Sequence, residues 1–218
     1  MDVSSFYISF AAYNTDWFIV NVVLWLMLMI ATAVVLAKPG NKHANMLIKG
    51  ALALVFLWNS VVFFGLYMTI SAIAGGIPFF IAGILLAADI ARKKIRIALP
   101  ASGWLRFATL AWVVWALGLY TVAGWLEGHM YPGGPLPNAP CPTTILAIAL
   151  LATSMATLRT DRLLFGLLLA MLLWWAFFAG IFTPLLFGFY VDFTLLVAGI
   201  YGLAIMLKNW RGIVPAGS

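Results

Sequence analysis

The densest run of reactive side chains in this sequence lies between Glu127 and Thr144. Glu127 and His129 open it, Tyr131-Pro132 follows, and Pro140-Cys141-Pro142-Thr143-Thr144 closes it. Pro142 suits the first turn of a helix, where a missing N–H costs nothing. A helix is therefore expected to start at Pro142, with Cys141 or Thr143 near its N-cap. Unpaired N–H groups and the helix dipole at such an end favour an anion and make a thiol more thiolate-like. The plainer reading is an extended loop leading into an ordinary helix. Glu127, His129 and Cys141 also offer the O, N and S donors of a mixed metal site. No CxxC or HxxxH spacing backs that site, and the one other histidine, His43, sits in a distant polar stretch. No metal and no cofactor are expected.

Two carboxylates lie close to apolar runs. Asp192 begins one and Asp89 ends another. An acidic residue within a membrane span usually faces a cavity or a partner. Asp192 is expected on the same side as Glu127 and can join its cluster, whereas Asp89 is expected to pair with Arg92 near the surface. Asn59 and Ser60, beside Trp58, either bond between helices or line a pore. Trp112, Trp115, Trp174 and Trp175 fall near mid-span, as core or as the wall of an aromatic cavity. The candidate solute-binding set is Glu127, His129, Tyr131, Cys141, Thr143, Thr144 and Asp192, with Asn59 deeper.

The elements that position these groups follow from composition. Of 218 residues, 65% are hydrophobic and 8% charged, and the mean hydropathy is +1.09. A hydrocarbon core of roughly 30 Å needs about 20 apolar residues per helix, and backbone within lipid must pair internally. The apolar runs are long and continuous, without the alternation of a barrel, so helices are expected. The 12 basic residues fall into four clusters: Lys38, Lys42 and Lys49; Arg92, Lys93, Lys94, Arg96 and Arg106; Arg159 and Arg162; Lys208 and Arg211. Threading the chain back and forth puts all four on one face. Short cytoplasmic loops are enriched in Lys and Arg, so that face is assigned to the cytoplasm. The net charge of +6 then reflects topology and anionic lipid, and a nucleic-acid partner is excluded because no basic groove with interleaved aromatics exists.

The expected architecture is an all-α membrane protein of seven transmembrane helices, N-terminus outside and C-terminus inside, in one domain over residues 1–218. Residues 1–16, with the aromatic stretch Ser4 to Tyr13, form an outer interfacial segment. The spans run from about Trp17 to Leu36, Ala44 to Met68, a third ending near Ala91, Trp104 to Leu126, Pro142 to Ala156, Leu163 to Phe182 and Phe187 to Leu207. Gly75-Gly76-Ile77-Pro78 is expected to break the third span to roughly 15 residues, and Thr183-Pro184 to turn the chain. Residues 127–141 form the external loop, and its four prolines and three glycines exclude a regular element there. Residues 208–218 form the cytoplasmic tail. Trp17 and Trp125 then mark the outer headgroup level, and Trp104 and Trp210 the inner one. The lone cysteine precludes an intrachain disulfide, and no cleavable leader is expected, since the first 16 residues carry Asp2 and Asp16 but no basic region.

A shift of 116 residues superposes Gly50 on Gly166, Leu57-Trp58 on Leu173-Trp174 and Ala82-Gly83-Ile84 on Ala198-Gly199-Ile200. The helices would divide as three, one linker and three, a parallel repeat of the kind found in transporters with a site between halves. Chance matching in apolar sequence explains the same correspondences. Several functions are excluded by composition. No span carries a mid-helix lysine for a retinal Schiff base or histidines for haem, and no HExxH, GxSxG or P-loop is present.

Tyr13-Asn14 followed by Trp17, then Trp58, Thr69-Ile70, Gly128-His129, Tyr131-Pro132 and Pro140-Cys141-Pro142-Thr143-Thr144 give a pattern covering most of the chain. In it the chain resembles an uncharacterised family of bacterial multipass proteins, classed as a domain of unknown function. The resemblance implies a multipass protein of the bacterial inner membrane and carries no activity. Three functions remain open. The first is a transporter or channel for a small solute or ion, with a polar site near the extracytoplasmic side. The second is an accessory, structural or sensor subunit, alone as a homo-oligomer or within a membrane complex. The third is a membrane enzyme or redox protein using Glu127, His129 and Cys141.

Overall fold

The computed structural model describes residues 2–155 and 162–209. All regular structure among them is helical. In chain order the helices are α1 (Val3–Asp16), α2 (Phe18–Ala37), α3 (Lys42–Tyr67), α4 (Ala72–Arg92), α5 (Trp104–Leu126), α6 (Pro140–Met155), α7 (Arg162–Phe187) and α8 (Tyr190–Asn209). Six of them, α2 to α5, α7 and α8, are long and apolar enough to cross a membrane, and α6 is apolar but shorter. The expected all-helical multipass protein is what the chain forms. Arg159, Trp210, Arg211 and most of the expected tail lie outside the described residues.

The short helix α6 is the hub. Every residue from 142 to 154 is buried, and α6 packs against α3, α5, α7 and α8. Its 16 described residues span about 24 Å at 1.5 Å per residue. Irregular segments fold over both of its ends. At the end carrying Lys38, Lys42 and Arg92–Arg96, called here the basic end, Lys93 at φ 55° stops α4. The following chain runs extended, with Ile95, Ile97 and Leu99 buried and Arg96 exposed. Asn45 on α3 holds it as a strand neighbour would, accepting from Ile97 N (2.7 Å) and donating to Ile97 O (2.9 Å). Ala98 N donates to Thr153 Oγ1 of α6 at 3.2 Å. The period-two pattern of residues 95–99 signals this segment in the sequence, although the basic run beside it reads as a plain loop. Non-helical backbone of this kind persists in a membrane protein when protein groups satisfy it.

An ion pair anchors the same end. Lys49 Nζ lies 2.6 Å from Asp89 Oδ2, with both side chains almost fully buried. Asp89 also accepts from the N–H groups of Lys94 and Ile95. The expected pairing of Asp89 with Arg92 is therefore replaced by one across helices. Arg92 follows Asp89 by three residues at the exposed end of α4, whereas Lys49 faces it from α3.

Two expected breaks lie inside helices. Gly75-Gly76-Ile77-Pro78 belongs to α4, and the chain turns earlier, at Met68–Ser71. A π-helical turn at Ala72–Gly76 precedes Pro78, which sits in the first turn of the α-helical part, and Ser60 Oγ donates to the Gly76 carbonyl at 2.7 Å. The glycines serve packing: a Cβ on Gly75 would stand 2.4 Å from the Phe64 ring and 2.8 Å from Trp175. Likewise Pro184 is within α7, and the chain turns at Gly188, φ 71°.

Of the repeat, one feature persists. Gly83 seats α4 against Leu57 and Ala53 of α3, and its counterpart Gly199 seats α8 against Ala176 of α7. The first helices of the two halves differ: α6 is enclosed, whereas α2 is an outer helix exposing Ile19, Val23 and Ile30.

Candidate functional site

At the end of the bundle away from the basic clusters, α1 lies across the tips of α3 and α7. Asp2 caps it, accepting from Ser5 N at 2.7 Å, and this hydrogen bond holds the Asp2 carboxyl below its usual range. Phe6 stacks on Phe187 at 4.3 Å, and Tyr7 donates to the Phe187 carbonyl at 2.9 Å. Beneath α1 is a cavity of about 370 Å³. Its wall is largely aromatic: Phe6, Tyr7 and Phe10 from α1, Phe63 and Phe64 from α3, Trp175, Phe178, Phe182 and Phe187 from α7, and Phe189 beyond. Chambers of roughly 300–1,000 Å³ with apolar walls and a few converging polar groups are the usual form of a small-molecule site.

The polar groups converge on Asp192, which is 1% exposed. Tyr120 donates to its Oδ1. The Thr183 hydroxyl lies against its Oδ2 and also against the Ala179 carbonyl, 2.6 Å away. Having one proton, Thr183 can donate to only one of them. Cys141 donates to Oδ2 at 3.5 Å. Four helices thus bring one polar group each: Tyr120 from α5, Cys141 from α6, Thr183 from α7 and Asp192 from α8. No cationic side chain among the described residues pairs with this carboxylate; the one ion pair among them is that of Lys49 and Asp89.

Of the eight residues singled out from the sequence, Cys141 and Asp192 line this cavity. Glu127 and His129 stand behind its wall. Glu127 Oε2 accepts from Val191 N at 3.1 Å, next to Asp192. His129 stacks on Tyr7 at 4.8 Å and lies 5.0 Å from the Phe189 ring. Burial, then the charges of Glu127 and Asp192, push the Tyr7 phenol up to about 12, so Tyr7 is a neutral donor at physiological pH. Tyr131 is exposed and edges against Phe18, 5.5 Å between centroids. Thr144 donates to the Pro140 carbonyl at 2.8 Å, and Thr143 is fully buried.

The helix carrying Cys141 begins at Pro140, not at Pro142. Prolines at both positions remove two of the four donors that make a helix N-terminus attractive to anions, and Thr143 N is taken by the Ala139 carbonyl at 3.1 Å. Cys141 therefore meets a carboxylate where an electropositive terminus was expected. Glu127, His129 and Cys141 each have separate partners, and no three metal-ligating side chains converge among the described residues.

Asn59 belongs to a second network, next to the cavity. It donates to the Asn138 carbonyl at 2.9 Å, Asn138 donates to Asn21 Oδ1 at 2.9 Å, and Tyr13 donates to the same oxygen at 2.8 Å. Trp58 Nε1 donates to Tyr13 Oη at 3.0 Å, and Asn14 donates to the carbonyls of Pro132 and Gly134, both at 2.7 Å. These bonds tie α1, α2 and α3 to the 127–139 segment. They fix the roof of the cavity, and Asn59 neither bonds between helices nor lines the cavity but ties α3 to the irregular segment.

Sequence reading missed Tyr120, Thr183 and the α1 rings. The available signals were a tyrosine inside an apolar span and a threonine next to a helix proline. Nothing local points the α1 rings at residues more than 50 positions away.

Asn14 bonds the 127–144 segment directly, and Tyr13, Trp58 and Trp17 are linked to it in turn through Asn21 and through one another. No curated protein and no solved structure matched the chain. A family model does, over residues 3–213, and the chain belongs to that family, DUF6064, a family of unknown function.

Proposed function

We propose that this protein binds a small solute in the cavity beside Asp192, on the extracytoplasmic side of a bacterial inner membrane. The observation that carries the reading is a buried carboxylate on the wall of an aromatic chamber. A buried charge is costly unless paired or hydrated, and α5, α6, α7 and α8 each spend a polar side chain there. The basic half of the bundle is packed around the Lys49–Asp89 pair and the 93–103 segment, which favours a binding site closed toward that end over an open channel. Carriage of the solute across the membrane would need that end to open.

Access to the lone cysteine tests the reading. N-ethylmaleimide should modify Cys141 in the folded, purified protein, and it should also modify a cysteine placed at Ser71, on the wall given by the α3–α4 turn, in a Cys141→Ser background. If neither thiol reacts until the protein is denatured, the chamber is closed to solutes and the proposal fails.

Orientation has its own test. Gly134 is a poor reporter, because a Cβ there would stand 1.8 Å from the His129 carbonyl. Met130, 68% exposed, is a better one. In the Cys141→Ser background, Met130→Cys should react with a membrane-impermeant maleimide in intact cells, and Lys42→Cys only after permeabilisation. The opposite pattern would invert the assignment drawn from the basic clusters.

A further inference from the structure

The chemistry of the cavity narrows its occupant, given that it binds a solute at all. Its wall offers ring faces, which carry negative electrostatic potential and attract cations within about 6 Å of the ring centre. Its one carboxylate, Asp192, has no cationic partner among the described residues. An ionised carboxylate has roughly four acceptor positions. Tyr120, Thr183 and Cys141 occupy at most three of them, and Thr183 shares its proton with Ala179.

The wider field has the same sign. Asp2, Asp16, Glu127 and Asp192 lie at this end, and every described lysine and arginine lies toward the other. Such an asymmetry concentrates cations at the cavity and repels anions. The exposed residues on the rim, Phe182 and Leu186 at 45% and 58%, are apolar. A ligand passing them must therefore tolerate hydrocarbon. A bare inorganic cation, small and strongly hydrated, leaves most of the aromatic wall and this apolar rim uncontacted, and an anion would meet Asp192.

We infer that the occupant is an organic cation with an apolar body, an amine or quaternary ammonium of modest size, held between Asp192 and the surrounding aromatic faces. The inference rests on the solute-binding reading above.

Benzyltrimethylammonium is the probe, and 2,2-dimethylpropylbenzene, its uncharged equivalent of the same shape, is the control. The readout is protection of Cys141 from N-ethylmaleimide in the full-length purified protein. The cation should slow alkylation in a saturable manner, and the neutral control should not. Asp192→Asn should weaken protection by a factor of roughly 30 or more, the scale of losing one partner of a desolvated charge pair. Because that variant also loses a helix-bridging group, the cation-versus-neutral comparison on the unmodified chain decides the matter if the variant does not fold. Equal protection by both compounds would overturn the cation assignment and leave a small-molecule cavity. A reactive Cys141 that neither compound protects would also overturn it. A Cys141 and Ser71→Cys pair that never react would remove both this inference and the reading beneath it.

Discussion

Removing one partner of the Lys49–Asp89 pair should be the most damaging single change in this protein. Lys49 and Asp89 are 2.6 Å apart with side chains 3% and 0% exposed, so either substitution strands a charge in an apolar interior. Such losses run to about 3–5 kcal/mol. Lys49→Met leaves a bare carboxylate that still accepts two backbone N–H groups, whereas Asp89→Asn leaves a buried ammonium without its counter-charge. Asp89→Asn should therefore be the worse of the two. The double variant should lose less than the two single losses added together, because charge and counter-charge leave together. Retention of the monodisperse species after graded heating in detergent measures all three. If the double variant is as unstable as the two singles combined, the pair is not coupled and the packing of the 93–103 segment alone sets the stability there.

The second large effect is steric. Gly180 of α7 faces α8, and a Cβ on it would stand 2.6 Å from Leu196 N and 2.9 Å from Leu196 Cα. The obstacle is backbone, so no side chain can swing aside. Gly180→Ala must push α7 and α8 apart just beside Thr183 and Asp192, and overpacking of this kind costs about 1–3 kcal/mol or more. Gly118→Ala is the internal control. It lies in a helical stretch where an added methyl would find nothing within 4 Å, and there alanine is favoured over glycine by roughly 0.5–1 kcal/mol. The two variants should thus move thermal stability in opposite directions. A Gly180→Ala protein as stable as the parent would show that α7 and α8 can separate freely, and with them the Asp192 cluster.

The spans are legible in the sequence because each is a continuous apolar run with basic residues at one end, a signal that needs no tertiary information. Where that legibility fails, one cause recurs. Gly75, Gly76, Pro78 and Pro184 act as breakers when a helix stands alone. Here neighbouring groups absorb them, Ser60 bonding the Gly76 carbonyl and Phe64 filling the space a side chain would take. The candidate site is half legible for a related reason. Asp192 and Cys141 stand out because polar groups are scarce in the spans. Phe6, Phe10 and Phe63 are ordinary aromatics until the fold turns them to one chamber. The chain alone pairs Asp89 with its nearest cation, Arg92, but the helix packing supplies Lys49, 40 positions away.

The enclosure of α6 bears on how the chain is made. Ribosomes deliver α6 to the membrane before α7 and α8, the two helices that will cover much of it. The 93–103 and 127–139 segments that fold over it precede it in the chain and are already made, but α7 and α8 are not. The bundle cannot close in order of synthesis. Its first five helices must wait, with α6 held provisionally by α3 and α5, until α8 arrives to cover the hub and, in the same event, to carry Asp192 into place.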